Sequence, residues 1–390
     1  MQGLMQDWPM TLDKMLTHAA NAHSHREIVA RSIEGPIVRT NYGEVWRRAK
    51  QVSAALKASG VALGDRVGTL AWNTPRHLEA WYGAMGIGAV LHTVNPRLFP
   101  EQIAWIINHA EDRMIFVDTT FVPLLEGIIG ELGSVREYVI LCDSAHMPKT
   151  TLPNAVAYED YIGGRGLDTP WGGFDECTAA GLCYTSGTTG NPKGVLYSHR
   201  SNMLHAFSAN QADAFGMRAR DNVLMVVPMF HANAWALAFI CPMTGCKLVM
   251  PGQKLDGPSV YELLESEEIT FSAAVPTVWM MLLAHMRENK LKFSTLKKVV
   301  IGGSALPEAI LRTLEVEHGV EVVHAWGMTE MSPMGTLGTL GPRESALDRE
   351  SQLRLKLKQG RATFNVEMKS VDDAGKTLPN VGKTPGRRLV

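Results

Sequence analysis

From Arg66 onward the chain alternates short apolar, β-branched runs with longer stretches whose apolar residues recur at helical spacing. Val67 to Trp72 reads as a strand, His77 to Met85 as a helix, Ala89 to Val94 as a strand and Pro100 to Ala110 as a helix with proline in its first turn. Met114 to Val117 and Tyr138 to Leu141 add further short apolar runs. After a Gly-, Pro- and Asp-rich stretch from Thr150 to Glu176, expected to connect two lobes, a second series begins. Its strands are expected near Val223–Val227, Lys247–Met250, Phe271–Val275, Lys298–Ile301 and Glu321–Ala325. Helices are expected between them at Asn202–Phe215, Ser259–Glu267, Thr277–Arg287 and Pro307–His318. Strands alternating with helices imply mainly parallel sheets covered on both faces. The predicted fold class is therefore α/β, with two doubly wound lobes packed together. The first spans residues 1–175 and the second 176–330. Beyond Met331 the pattern becomes Gly-punctuated strands, so 331–390 reads as the start of a small β-rich unit, with a hairpin around Asp372–Gly375.

Composition narrows the function classes. Lys plus Arg number 38 and Asp plus Glu 39, a balance that excludes a general nucleic-acid binder and a polybasic membrane anchor. At 390 residues the chain can bury about three quarters of its extended surface without disulfide staples. Its five cysteines include no C-x-x-C pair and read as reduced thiols of a cytoplasmic protein. The first ten residues show no secretory pattern. The weakly polar stretch Ala232–Met243 falls short of the ~20 residues that span a bilayer, so no transmembrane segment is expected.

The densest chemistry lies in Tyr184-Thr185-Ser186-Gly187-Thr188-Thr189-Gly190-Asn191-Pro192-Lys193-Gly194, which follows a short strand at Gly181–Tyr184. Glycines let backbone N–H groups approach an anion, hydroxyls add donors, and Lys193 supplies charge, so such a loop can embrace phosphates. It does not match the P-loop spacing, because Lys193 precedes Gly rather than Ser or Thr, and Val195-Leu196-Tyr197 reads as a strand where a P-loop would open a helix. The bland alternative is a flexible surface turn. In His324-Ala325-Trp326-Gly327-Met328-Thr329-Glu330 an aromatic at a strand end offers a stacking face, Thr329 a hydroxyl and Glu330 a hard oxygen ligand. Read alone, that segment fits equally well a buried Trp326 with a solvated early-helix acid. Ile301-Gly302-Gly303-Ser304-Ala305-Leu306-Pro307 allows close approach of a flat ligand or simply makes a tight turn.

In this order the three stretches resemble the adenylate-forming (AMP-binding) superfamily, in particular the fatty acyl-CoA synthetases. YTSGTTGNPKGV is similar to that family's phosphate loop, AWGMTE to its aromatic-Gly-x-Thr-Glu motif, and Pro228-Met229-Phe230-His231-Ala232-Asn233-Ala234-Trp235 to its intermediate motif. Asn41–Val45, Ala71-Trp72-Asn73, Asn95-Pro96-Arg97-Leu98 and Gly360-Arg361-Ala362 extend the likeness over essentially the whole chain, closest to bacterial medium- and long-chain fatty acid ligases and methylmercaptopropionate ligases. The resemblance implies that a carboxylate attacks the α-phosphorus of MgATP to give an acyl-adenylate, from which coenzyme A then displaces AMP. It implies that Thr185, Ser186, Gly187, Thr188, Thr189, Gly190 and Lys193 cradle the terminal phosphates. Thr329 would contact the α-phosphate, and Glu330 with Thr185 would hold Mg²⁺. Gly303, Ser304, Ala305 and Trp326, with Gly327 and Met328 beside it, would form the adenine slot. His231 would face the acyl carboxylate with Asn233 and Trp235 on the substrate wall, although a lone histidine in an apolar segment is often a core residue. Peripheral membrane contact and a homodimer stay open.

Family members continue into a further small domain, and neither its Thr-Gly-Asp nor its late lysine is found here. Lys383, within Gly382-Lys383-Thr384-Pro385-Gly386, reads as a turn. The expectation is a truncated ligase, the cap domain absent, with reduced or no activity of its own. The competing readings are a ligase for aryl or short acids and a degenerate relative that binds nucleotide without chemistry.

Overall fold

The computed structural model describes residue 1 and residues 3–185, 191–379 and 386–390. The expected turn at Lys383 lies outside the described residues. The N-terminal hairpin β1 (Glu27–Arg31) and β2 (Ile37–Asn41) precedes β3 (Arg66–Leu70), β4 (Val90–Thr93), β5 (Met114–Val117), β6 (Glu137–Ile140), β7 (Ala155–Ala157), β8 (Ala179–Tyr184) and β9 (Gly194–Ser198). There follow β10 (Asn222–Met225), β11 (Lys247–Met250), β12 (Phe271–Ala274), β13 (Lys298–Ile301), β14 (Glu321–Gly327), β15 (Met334–Leu337), β16 (Arg361–Ala362), β17 (Lys369–Val371) and β18 (Arg387–Leu389). One sheet has the order β7-β6-β5-β3-β4-β8-β9, parallel but for β9. The other has the order β16-β15-β14-β13-β12-β10-β11-β1-β2, parallel from β14 to β1 with antiparallel edges.

Burial alternates by residue in a way that fixes five layers. Ile28, Met225, Leu248 and Ala273 of the larger sheet share one apolar core with Val67, Leu91 and Phe116 of the smaller. Helices Tyr42–Ala58 and Pro75–Gly86 fill the space between, as Val52, Ala55, Leu78 and Trp81 show. The intervening positions face outward: Val29, Leu224 and Val249 pack under helices Gly257–Ser266 and Pro276–Glu288, and Leu70, Ile115 and Val117 under Pro100–Ala110. Two-sided burial explains why these strands read as continuous apolar runs.

Two expectations need correction. The division at residue 175/176 is not the division between sheets, because β1 and β2 cross to the larger sheet while β8 and β9 complete the smaller one. The hairpin's apolar residues satisfy a sheet edge far away in sequence, which local periodicity cannot register. The stretch 150–176 is more than a connection, since it contains β7 and helix Tyr158–Ile162 and sends Trp171 to donate to Ser53 Oγ at 2.7 Å. In the tail the expected hairpin forms: the turn at Asp372–Gly375 returns Thr377 to bridge Val371, and the Leu378 N–H donates to the Ser370 carbonyl at 2.8 Å; β18 also pairs with β17, and helix Arg349–Lys356 lies between β15 and β16.

The central helix pair depends on one small residue. A Cβ on Gly83 would lie 2.6 Å from Val52 Cγ1 and 2.9 Å from the Ala49 carbonyl oxygen. Gly83→Ala should therefore destabilise the protein by about 1–3 kcal/mol in urea unfolding, and adding Val52→Ala should restore part of the loss. An unchanged midpoint would show that the two helices shift apart freely.

Candidate active site

The phosphate-loop sequence sits at the tip of the β8–β9 hairpin. Tyr184 pairs with Gly194, and the Thr185 N–H donates to the Lys193 carbonyl at 2.9 Å, closing the hairpin base. Thr185 is half-buried and Lys193 exposed; Ser186, Gly187, Thr188, Thr189 and Gly190 lie outside the described residues. The base is braced from below, where the Tyr184 ring packs 5.1 Å from His92 and its hydroxyl meets His109 Nδ1 at 2.7 Å.

Opposite the hairpin, the segment after β10 makes an unusual turn. Ala232, Asn233, Ala234, Trp235 and Ala236 all have positive φ, between 42° and 69°. Left-handed backbone costs a non-glycine residue on the order of 1–2 kcal/mol, so the surroundings must hold it. They do so with polar contacts. Asn233 Nδ2 donates to Asn202 Oδ1 at 3.1 Å, and the backbone N–H groups of Ala232 and Asn233 face the Cys183 sulfur of β8. Asn73 Oδ1 accepts from the Met229 N–H at 2.8 Å, while Asn73 Nδ2 donates to the Met225 and Val227 carbonyls. The turn swings His231 and Trp235 onto the walls of two adjoining cavities.

The first cavity, of about 180 Å³, is walled by His231, Trp235, Gly303, Trp326, Gly327, Met328 and Thr329 among others. The second, about 230 Å³, shares His231, Trp235 and Gly303 but is otherwise lined by apolar Val226, Phe230, Leu255, Val275 and Val278, with Asn95 and Arg97 as its polar side chains. The His231 side chain reaches cavity solvent, yet the protein around it and then the Arg97 charge hold its imidazole below the ordinary value. It is set to be neutral at neutral pH.

The β13 and β14 ends complete the first cavity. A Cβ on Gly302 would lie 2.9 Å from the Ala325 carbonyl oxygen and 3.3 Å from the Trp235 ring, so only glycine lets these walls close. Gly303 adopts φ +80° and exposes the backbone that follows, Ser304 and Ala305. The Trp326 ring lies against Gly335, whose absent Cβ would come 2.7 Å from the indole. A register shift between Trp326 and Gly327 turns the chain toward Thr329. There Tyr197 of β9 donates its hydroxyl to the Thr329 carbonyl at 2.5 Å. Burial chiefly raises the Tyr197 phenol, with Cys183 and exposed Glu330 adding charge repulsion.

The structure thus gathers His231, Trp235, Gly303, Trp326, Gly327, Met328 and Thr329 around one space, and ties the hairpin bearing Thr185 and Lys193 to it through Tyr197. Ser304, Ala305, Lys193 and Glu330 stand exposed, outside the cavity lining. Asn233, expected on the substrate wall, instead turns its amide to Asn202 and lines neither cavity, because the left-handed turn needs that bond. Sequence reading missed Tyr197 and His205, whose Nε2 accepts from the Met334 N–H at 3.1 Å behind Trp326. No local pattern marks either, since each bonds a backbone group far along the chain.

Comparison with known proteins agrees with this geometry. The AMP-binding enzyme family matches residues 16–387. The chain is 45% identical over 390 residues to the 3-methylmercaptopropionyl-CoA ligase of Ruegeria lacuscaerulensis, covering 100% of this chain and 72% of the relative. It is 44% identical over 389 residues to the medium-chain-fatty-acid–CoA ligase of Ectopseudomonas oleovorans, covering 100% of this chain and 71% of that one. The N-terminal domain of FACL13 from Mycobacterium tuberculosis superimposes with a TM-score of 0.81 at 26% identity, over 94% of this chain and 86% of that domain. The chain belongs to the AMP-binding enzyme family. Within it, the relatives put it among the AMP-forming acid–thiol ligases.

Burial holds His205 neutral, with its pKa lowered from 6.5 to about 4. The unfolded chain therefore takes up a proton on this ring between those values that the folded protein refuses. The stability that neutral His205 allows is complete above pH 6.5 and is lost as pH falls toward 4, by up to roughly 3 kcal/mol. Urea unfolding between pH 4.5 and 7 should show a shallower pH slope for His205→Gln than for the unaltered protein. Equal slopes would mean the ring protonates in place.

Proposed function

We propose that the chain binds ATP and a carboxylic acid and joins them as an acyl-adenylate for transfer to coenzyme A, the acid being an aliphatic, fatty-acid-like one. The observation carrying this reading is the convergence of the β8–β9 hairpin, through Tyr197, on the segment that also holds Trp326 against the His231–Trp235 turn. In this reading Trp326 stacks on adenine, with the Gly303, Ser304 and Ala305 backbone along its edge and Gly327 and Met328 beside it. Thr329 contacts the α-phosphate, while Thr185, Lys193 and the intervening loop take the outer phosphates. Neutral His231 donates to the acid without competing as a counter-charge. In-line attack at phosphorus needs positioning and charge neutralisation more than covalent help. Among the described residues no three His, Cys, Asp or Glu side chains cluster to hold a metal. A Mg²⁺ at Glu330, with the Thr185 hydroxyl, would therefore depend on phosphate oxygens for most of its ligands, as Mg²⁺ in nucleotide sites commonly does. Bound there, it would supply charge neutralisation for the phosphates.

The aliphatic preference is supported by the second cavity, whose walls from Val226 to Val278 are apolar, its polar side chains being Asn95, Arg97 and His231. No helix of the described residues is long and apolar enough to cross a membrane. Four of the five free cysteines are buried, in keeping with a cytoplasmic setting.

Because the chain spans 72% of the first relative's length, binding is the more direct test than turnover. Calorimetry with a non-hydrolysable ATP analogue and Mg²⁺ should give saturable binding. Trp326→Ala should weaken it by about 1–3 kcal/mol through lost stacking, and Lys193→Ala by a similar amount through a lost charge-assisted bond. Glu330→Ala should raise the Mg²⁺ concentration needed. Unchanged binding in all three variants would remove the site assignment. Pyrophosphate release tested with acids from acetate to laurate and with benzoate should favour the aliphatic members, and a benzoate preference would overturn the substrate class.

A further inference from the structure

The smaller sheet has a crevice of its own that the proposed ligase chemistry does not use. Strand β4 lies on one side of β3 and β5 on the other, so the connections reverse direction between β3 and β5. In open α/β sheets that reversal opens a crevice at the carboxyl ends of the strands, the usual place for a ligand. Here it is a cavity of about 400 Å³. Thr74 following β3, Asp118 following β5 and Leu141 following β6 line it, and the β1–β2 hairpin covers it.

Its charges are nearly all spoken for. Arg76 binds Glu34 at 2.5 Å and Glu159 at 3.0 Å, Arg48 binds Glu79 at 3.0 Å, and Arg39 binds Glu267 at 2.6 Å. The exception is Asp118, only 1% exposed. Its Oδ2 accepts from the Trp72 N–H at 2.6 Å, while its Oδ1 has no hydrogen-bond partner; the Thr40 hydroxyl on the facing hairpin has none either. A buried carboxylate oxygen left without a donor is costly, and the guanidinium groups nearby are already committed. An anion would find no free partner here. A donor cation would.

We propose that this cavity is a second small-molecule site, taking a protonated primary amine on an apolar body, with the ammonium donating to Asp118 Oδ1 and the Thr40 hydroxyl. The apolar part packs against Ile33, Pro36, Val38, Pro75 and Leu141. Burial chiefly pushes the Asp118 carboxyl up to about 7, a penalty that a cation at Oδ1 offsets. Asp118 also anchors Trp72, whose ring packs 6.0 Å from Phe230, the neighbour of His231. Occupancy is thus connected to the wall of the ligase cavities.

Calorimetry on the 390-residue chain with n-hexylammonium chloride and, separately, with hexan-1-ol tests the assignment. The ammonium should bind saturably and at least ten-fold more tightly than the alcohol. Asp118→Asn, which keeps an acceptor for the Trp72 N–H, should bring the ammonium down to the alcohol's level. Val38→Trp, a change on the exposed hairpin that fills the cavity mouth, should abolish the binding of both, and it carries the test alone if Asp118→Asn does not fold. Absence of saturable ammonium binding overturns the proposal. So does ammonium binding that survives in the folded variants, since the amine then sits elsewhere, the apolar ligase cavity included.

Discussion

One buried carboxamide registers the two sheets against each other. Asn73 leaves the carboxyl end of β3 in the smaller sheet, yet every polar atom of its side chain is used by the larger one. Its Nδ2 donates to the Met225 and Val227 carbonyls at 2.8 and 2.9 Å, and its Oδ1 accepts from Met229 at 2.8 Å. Those three backbone groups emerge where β10 ends and have no strand partner to pair with, so without the amide they would be buried and unsatisfied, at about 1–3 kcal/mol each. A residue on one sheet thus sets the path of the segment that carries His231. The apolar core between the sheets supplies most of the cohesion, but apolar packing is non-directional and cannot by itself place a side chain within an ångström.

The left-handed turn at Ala232–Ala236 follows from that placement. A right-handed continuation would begin a regular helix directly after Pro228, turning His231 and Trp235 along one helical face. The left-handed path reverses the side chains so that both reach the cavities while Asn233 goes inward to Asn202. Strain here is opposed by specific bonds from β8 and from Asn202, which are themselves part of the smaller sheet and its flanking helix. The placement of His231 and Trp235 therefore rests on residues drawn from both halves of the chain. Loss of any one bond would be felt at His231 before it was felt in the fold.

This division between cohesion and placement explains what the sequence disclosed. The central strands and helices were legible because two-sided burial writes itself as apolar runs and helical spacing, from Val67 through Glu321. The loop from Thr185 to Lys193 was legible because glycine, hydroxyl and charge stand there in close order, whereas the segments around Trp326 and His231 were singled out by their resemblance to the family's motifs and read alone fit a core turn equally well. The first 65 residues and the exchange of strands between sheets were not, because the β1–β2 hairpin reads locally like any short amphipathic pair. Its partner β11 lies more than two hundred positions away. Tyr197, His205 and Asn73 were equally silent, since a single hydrogen bond to a distant backbone group leaves no periodic trace.

The same reasoning connects the two crevices. Consecutive residues Trp72, Asn73 and Thr74 face three ways: Trp72 donates its N–H to Asp118 and packs on Phe230, Asn73 secures Met229, and Thr74 caps the helix Pro75–Gly86 at the edge of the smaller sheet's cavity. A displacement of this segment cannot be confined to one side, because its backbone is bonded to Asp118 and its side chains to the His231 segment. Thr74 lines the smaller sheet's carboxyl-end crevice, while Trp72 and Asn73 beside it hold Phe230 and Met229 of the segment that carries His231. Asp118 accepts from the Trp72 N–H, and the Trp72 ring packs on Phe230, the residue before His231, so one segment of backbone stands between the two crevices.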